Sequence, residues 1–320
     1  MKNKKYIKES MKYIWHPCSQ MKHHEKIPLI PIKEGRGSWL IDFNDKKYLD
    51  VTSSWWVNLF GHNNKIIKQH ITKQLNKIEH VMLAGVTHEA AIDLSRKLSK
   101  LTKLSHCSYG SDGANAVEIA LKMSSHFWKR VGLPKKNKFV YLENSYHGET
   151  IGALSVTDIP IFRSQYATLI KSYFSVPSPD SRLKKSKQTS EEFIQERIKS
   201  LKKLFENKHE VISSIILEPL VQCATGMGIY DSIYLKKVRL LCDEYKIHLI
   251  VDVDQIEYGN KRYMKYHYHC SHDNGFTLKK RLKDGKYLVN SKENPELILI
   301  EGYYKNRRKS GTWKIYNPYE

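Results

Sequence analysis

Three short groups of residues have types and spacing suited to chemistry. Ser111-Asp112-Gly113-Ala114 stands directly before a stretch of helical periodicity that begins at Asn115. A small-residue turn opening a helix offers backbone N–H donors and positive potential with no side chain in the way, which is what a bound phosphate needs. Such turns also open many helices that bind nothing. Tyr146-His147-Gly148 follows a strand-like run, where an aromatic ring can lie flat on a planar ligand and a glycine lets the backbone approach it; taken alone it also reads as a packed loop. Asp252 ends the most apolar run, Ile247-His248-Leu249-Ile250-Val251, where a carboxylate is costly unless it meets a cation. A protonated pyridine nitrogen is such a cation, and holding that proton makes the ring an electron sink. A helix cap or a salt-bridged strand end is the alternative for Asp252.

These groups must be positioned by regular elements, and the spacing supplies them. Lys138–Glu143, Ser213–Glu218 and Ile247–Asp252 are short apolar runs, each ending on an acidic residue, and they predict strands. Between them, Asn115–Val131, Glu191–Asn207 and Ser232–Tyr245 repeat apolar residues every three or four positions and predict helices. Alternating strands and helices imply an α/β fold with a parallel sheet, whose ligands bind beyond the carboxyl ends of the strands. The polar stretch 178–192 is expected to be an exposed loop leading into a helix. After Asp254 the alternation stops; Tyr, His, Lys and Asn dominate, with hairpin signals at Asp284-Gly285 and around residues 306–311.

Composition narrows the function classes. With 320 residues, 40% of them hydrophobic, the chain can bury a sizeable core. The net charge of +21 comes from lysines spread along nearly the whole chain, without a binding motif or a basic stripe on one helix, so no nucleic-acid partner is expected. Five cysteines without a CxxC pair argue against a disulfide framework or a four-thiolate zinc site and fit a reducing cytoplasm. The basic N-terminus lacks an apolar signal core and no long apolar run occurs, so neither a signal peptide nor a membrane partner is expected. His267, His269, Cys270 and His272 cluster without a second ligand pair at finger-like spacing, and no metal is expected there.

Order and spacing together resemble the class III aminotransferases, and within them the branch serving biotin synthesis. The similarity is carried by Ile14-Trp15-His16-Pro17, Thr52-Ser53-Ser54-Trp55-Trp56 with Gly61-His62-Asn63, His80-Val81-Met82, Thr87-His88 and Ala116-Val117-Glu118. It continues through Tyr146-His147-Gly148-Glu149-Thr150, Glu218-Pro219-Leu220-Val221-Gln222 and Leu249-Ile250-Val251-Asp252. The resemblance spans residues 10 to 252 and implies a fold-type I transferase large domain that binds pyridoxal phosphate. It implies further that Gly113 and Ala114 hold the cofactor phosphate, that Tyr146 stacks on the pyridine ring, that Asp252 binds its nitrogen and that Glu218 supports that end of the site. Trp55 and Trp56 would line the pocket for S-adenosylmethionine and 8-amino-7-oxononanoate, and the family is homodimeric. The implied layout is an N-terminal segment at 1–50, an incomplete large domain at 51–254 and an unrelated hairpin-rich tail at 255–320.

The pattern breaks after Asp252. The family's Schiff-base lysine lies some thirty residues later, behind a short apolar strand; here Val253-Asp254-Gln255 follow instead and the lysine is not identifiable. Lys279, Lys280 and Lys283 have suitable spacing but sit in a charged run. Cys18 replaces a substrate-pocket tyrosine, Glu149 replaces an aspartate, and the family's later small domain has no counterpart. Glu301-Gly302-Tyr303-Tyr304 with Ser310-Gly311-Thr312-Trp313 resembles a unit of the MORN-type and toxin-antitoxin-associated hairpin repeats. A truncated or fused remnant without catalytic activity, at most an interaction module, is therefore the alternative expectation.

Overall fold

The computed structural model describes residues 2–253 and three strands between 285 and 315. The chain divides into two compact units, Met1–Asp93 and Leu94–Glu320.

The first unit opens with helix α1 (Lys2–Tyr13) and an antiparallel meander of β1 (Ile32–Arg36), β2 (Trp39–Asp42) and β3 (Lys47–Leu49). Gly37, at φ +56°, makes the two-residue turn between Arg36 and Trp39. The carboxylate of Asp42 then closes the β2–β3 turn by accepting from the N–H groups of Asn44 and Lys46 at 2.8 and 2.9 Å. Helix α2 (Lys65–Leu75) starts where Asn64 accepts from the Ile66 and Ile67 N–H groups. Helix α3 (Glu89–Thr102) follows.

The second unit carries the parallel sheet the periodicity predicts. Its strands are β4 (Lys138–Leu142), β5 (Phe174–Val176), β6 (Ile212–Leu217) and β9 (His248–Val251), ordered β5-β4-β6-β9 with every pair parallel. Strands β7 (Val221–Gln222) and β8 (Gly228–Ile229) form a small antiparallel pair. Helices α4 (Gly113–Arg130), α5 (Ile151–Ser155), α6 (Ser190–Lys208) and α7 (Ser232–Glu244) connect them. A capping box starts α6: Thr189 accepts from Glu192 N–H while the Glu192 carboxylate accepts from Thr189 N–H.

Both faces of this sheet are dry, which is why its central strands read as unbroken apolar runs. On one face Val140, Leu142, Ile215 and Leu217 pack with Leu201 and Phe205 of α6 and Val238 of α7. On the other, Phe139, Tyr141 and Ile216 pack with Val117 and Leu121 of α4. Each fully buried large aliphatic contributes about 1.5–3 kcal/mol relative to exposure.

The 178–192 stretch is largely exposed and leads into α6 as expected, but it departs from that at its start. Ser178 and Asp180 are buried. Their polar groups are satisfied inside: Ser178 hydrogen-bonds Gln222, and Asp180 holds Arg182, whose guanidinium also donates to the Thr225 and Gly226 carbonyls. Beyond residue 253, β10 (Gly285–Asn290), β11 (Ile298–Lys305) and β12 (Arg308–Ile315) form an antiparallel sheet in that order. Lys305 pairs with Arg308, as in a tight hairpin. Asp284, Lys279, Lys280, Lys283 and the His267–His272 cluster lie outside the described residues.

Candidate active site

The carboxyl ends of β4, β6 and β9 bring Tyr146, His147, Glu218 and Asp252 together, residues up to 106 positions apart in sequence that parallel pairing aligns at one sheet edge. Asp252 is anchored by its backbone, whose N–H donates to the Leu217 carbonyl at 2.9 Å. One carboxylate oxygen of Asp252 lies 2.7 Å from Nδ1 of His147, whose side chain is fully buried. With the proton on Nδ1, His147 donates to the carboxylate. The ring's other nitrogen, Nε2, is buried and has no hydrogen-bond partner among the described residues. The His147 N–H is held by Thr157 Oγ1 at 2.9 Å, so the imidazole is fixed from both its backbone and its ring.

Glu218 braces the neighbouring loop. It is 2% exposed, yet one oxygen accepts from Tyr146 N–H at 3.1 Å and the other from Cys223 N–H at 2.8 Å. Tyr230 O–H donates to its carbonyl. A buried carboxylate that spans two loops in this way fixes both. The half-buried Tyr146 ring rests against Phe162 with centroids 5.2 Å apart, and its hydroxyl donates to Glu149 at 3.1 Å. Glu149, which departs from the family's aspartate, thus holds the tyrosine here.

The small-residue turn Ser111-Asp112-Gly113-Ala114 is adjacent. Gly148 sits at φ +111°, and a Cβ there would come within 2.5 Å of the Ala114 Cβ, so glycine is required both by conformation and by close approach. A Cβ on Gly113 would meet nothing within 4 Å, leaving open space at the start of α4. Asp112 caps that helix itself, accepting from Asn115 N–H at 2.8 Å, and this bond, the largest cause, holds its carboxyl below the usual carboxylate range. Glu118, one turn further, accepts from Gly152 N–H at 2.7 Å and ties α4 to α5.

Trp55 and Trp56 belong to the other unit, and their setting is unusual. Ser53, Ser54, Trp55 and Trp56 all adopt left-handed φ values, +47°, +49°, +63° and +72°. Each such L-residue costs roughly 1–2 kcal/mol. Asp50 offsets this by accepting from Ser54 Oγ at 2.9 Å and Thr52 Oγ1 at 3.3 Å, with Nε2 of His62 2.8 Å away. The Ser54 backbone N–H first, and then His62, hold the Asp50 carboxyl down to about 2. Both tryptophans are exposed, at 67% and 40%, rather than packed in an aromatic core.

The site thus contains Tyr146, His147, Gly148, Glu218 and Asp252 with Gly113 and Ala114 beside them. The part played by His147 was not read from sequence. Its signal was a polar ring in a small-residue loop between a strand and a glycine, but its partner lies 105 positions away. Among the described residues, no three His, Cys, Asp or Glu side chains converge as a metal site, and no helix is long and apolar enough to cross a membrane.

The family model described as aminotransferase class-III matches residues 20–262. The adenosylmethionine-8-amino-7-oxononanoate aminotransferase of Helicobacter pylori is 42% identical over 280 residues, covering 87% of this chain and 62% of that protein. The protein of the same name from Staphylococcus aureus is 38% identical over 266 residues, covering 82% and 58% respectively. The crystal structure of the same-named protein from Methanocaldococcus jannaschii superposes with a TM-score of 0.71 at 33% identity, over 78% of this chain and 54% of that one. A Pseudomonas jessenii omega transaminase shares the fold with a TM-score of 0.72 at 23% identity. The chain therefore spans about three fifths of the length of these curated relatives.

Proposed function

The chain belongs to the class-III aminotransferase family, and from that premise we propose that its second unit holds pyridoxal phosphate for amino transfer from S-adenosylmethionine to 8-amino-7-oxononanoate. The observation that carries this reading is the Asp252–His147 pair at the end of β9, beside the Glu218-braced Tyr146 loop. The residues present fit the cofactor. Asp252 offers the carboxylate for a pyridine N–H; Tyr146 offers a ring held at its backbone; the open space over Gly113, with Ala114 and the start of α4, suits a phosphate.

When bound, the cofactor supplies a pyridine ring that withdraws electrons from the reacting carbon. The chain's own residues prepare that role. Asp252 would accept from the protonated ring nitrogen, and His147, donating from Nδ1, orients its carboxylate. Glu218 fixes the Tyr146 backbone, which would leave the ring to stack on the cofactor. Trp55 and Trp56 are proposed for the substrate pocket, and homodimerisation is part of the same proposal.

A second reading, an inactive remnant, is favoured by one observation: the family match ends at 262, short of Lys279, Lys280 and Lys283. The antiparallel β10–β12 sheet supports an interaction role for the tail under that reading. Borohydride treatment of the cofactor-loaded chain followed by intact mass separates the two. A mass increase of one reduced cofactor, localised to one lysine, supports the enzyme. An unchanged mass together with no formation of 7,8-diaminononanoate supports the remnant.

A further inference from the structure

The amino ends of the parallel strands form a second concavity, at the opposite end of the sheet from Tyr146, Glu218 and Asp252. The loops entering β4, β6 and β9 enclose a half-open cleft of about 440 Å³, a size that holds a small organic ligand. Its charges are unbalanced. Lys135 and Lys136 come from the loop into β4 and Lys246 from the loop into β9, against one carboxylate in the lining, that of Glu210. Among the described residues none of the three lysines is ion-paired, so the lining keeps an excess of positive charge. Lys136 is 5% exposed; its Nζ donates to the His209 carbonyl at 2.8 Å and lies 4.5 Å from the centroid of the Trp128 ring. Burial first, and then the nearby charge of Lys246, hold this ammonium below the usual lysine range.

Helices α4, α6 and α7 all end at this cleft, and helix C-termini attract cations without any ligand. That attraction accounts for Lys136, whose ammonium meets the carbonyl just after α6. It does not account for Lys246. The position that closes α4 is Gly132 at φ +83°, a residue at ease in the left-handed region, whereas the equivalent position after α7 is Lys246 at φ +52°. A side chain kept there against its conformational preference brings charge to the cleft, and strain of this kind gathers at functional sites. The rest of the lining includes an apolar wall of Leu133, Pro134 and the Tyr245 ring. The Tyr245 ring is itself seated against Phe205 and His209, with centroids 5.9 and 5.6 Å apart.

We propose that this cleft binds a small organic phosphate monoester, its phosphate held by Lys135, Lys136 and Lys246 and its body against Leu133, Pro134 and Tyr245. A phosphate monoester carries close to two negative charges at neutral pH, which match the excess in the lining. Lysine ammonium groups suit phosphate as point charges, and the described lining contains no guanidinium fork of the kind that selects planar carboxylates. The site is separate from the proposed cofactor site and does not rest on that reading.

The test titrates phenyl phosphate at low ionic strength into the full 320-residue chain while backbone amide resonances are followed. Saturable shifts at Gly132, Lys136 and Lys246 are expected. Lys246→Gly removes one ammonium and supplies the residue best suited to the left-handed position, so the fold is kept while affinity should fall about tenfold. Lys135→Ser, at an exposed position, should weaken binding in the same direction. Inorganic phosphate, with no body to meet the apolar wall, should bind about tenfold more weakly than phenyl phosphate. No saturable shifts, shifts confined to Gly113 and Ala114, equal affinity in Lys246→Gly and the parent, or inorganic phosphate binding as tightly as phenyl phosphate would each overturn the proposal.

Discussion

The two units of this chain treat apolar residues in opposite ways. In Leu94–Glu320 the sheet is sealed on both faces, with Val140, Leu142, Phe205 and Ile215 wholly buried. In Met1–Asp93 the one hydrophobic residue among the described positions that is buried is Ile41, while Trp15, Val51, Val57, Ile66 and Ile71 are more than half exposed. The residue types are similar; the coverage differs. The second unit buries a continuous apolar core and the first does not.

The contrast is open to attack by mutation. Phe205→Ala, in the sealed core, should cost about 3–5 kcal/mol in denaturant unfolding, whereas Ile66→Ala on α2, 67% exposed, should change stability by less than about 0.5 kcal/mol. Equal losses would erase the distinction between the units. Within the site, His147→Ala should weaken cofactor binding by about 1.5–3 kcal/mol through loss of a hydrogen bond to a charged group, read by equilibrium dialysis. At the start of α6, Thr189→Ala should cost about 1 kcal/mol, seen as a lowered unfolding midpoint.

A pH experiment reaches the first unit. The folded-state value of Asp50 is depressed from an ordinary 3.8 to about 2, so its contribution is fully present above the unfolded value and is lost as pH falls through about 2. Proteolytic nicking of the Ser53–Trp56 turn should therefore rise between about pH 4 and 2 with an acid-active protease. Asp50→Asn should be nicked readily throughout that range, with no acid dependence of its own.

Much of the second unit was legible because both-face burial leaves a direct mark on sequence. Continuous apolar runs gave β4, β6 and β9 to within a residue or two, and three-to-four spacing gave α4, α6 and α7. Tyr146 and Asp252 stood out as residue types following strand-like runs and Glu218 through the family resemblance, and the structure brings the three to one sheet edge. What stayed hidden was long-range polar pairing. Nothing local says that His147 meets Asp252, that Glu218 braces two loops, or that Ser178 and Asp180 go inside with Gln222 and Arg182. The left-handed run at Ser53–Trp56 was equally hidden, since none of its four residues is a glycine and its support comes from Asp50 and His62.

Asp252, placed by β9 and oriented by His147, is proposed to hold the ring nitrogen of pyridoxal phosphate. Calorimetric titration of the cofactor into the full chain and into Asp252→Ala tests it most directly. Saturable one-to-one binding that weakens about tenfold or more in the variant is the predicted result. No saturable binding by the parent chain, or equal affinity for both proteins, would contradict it.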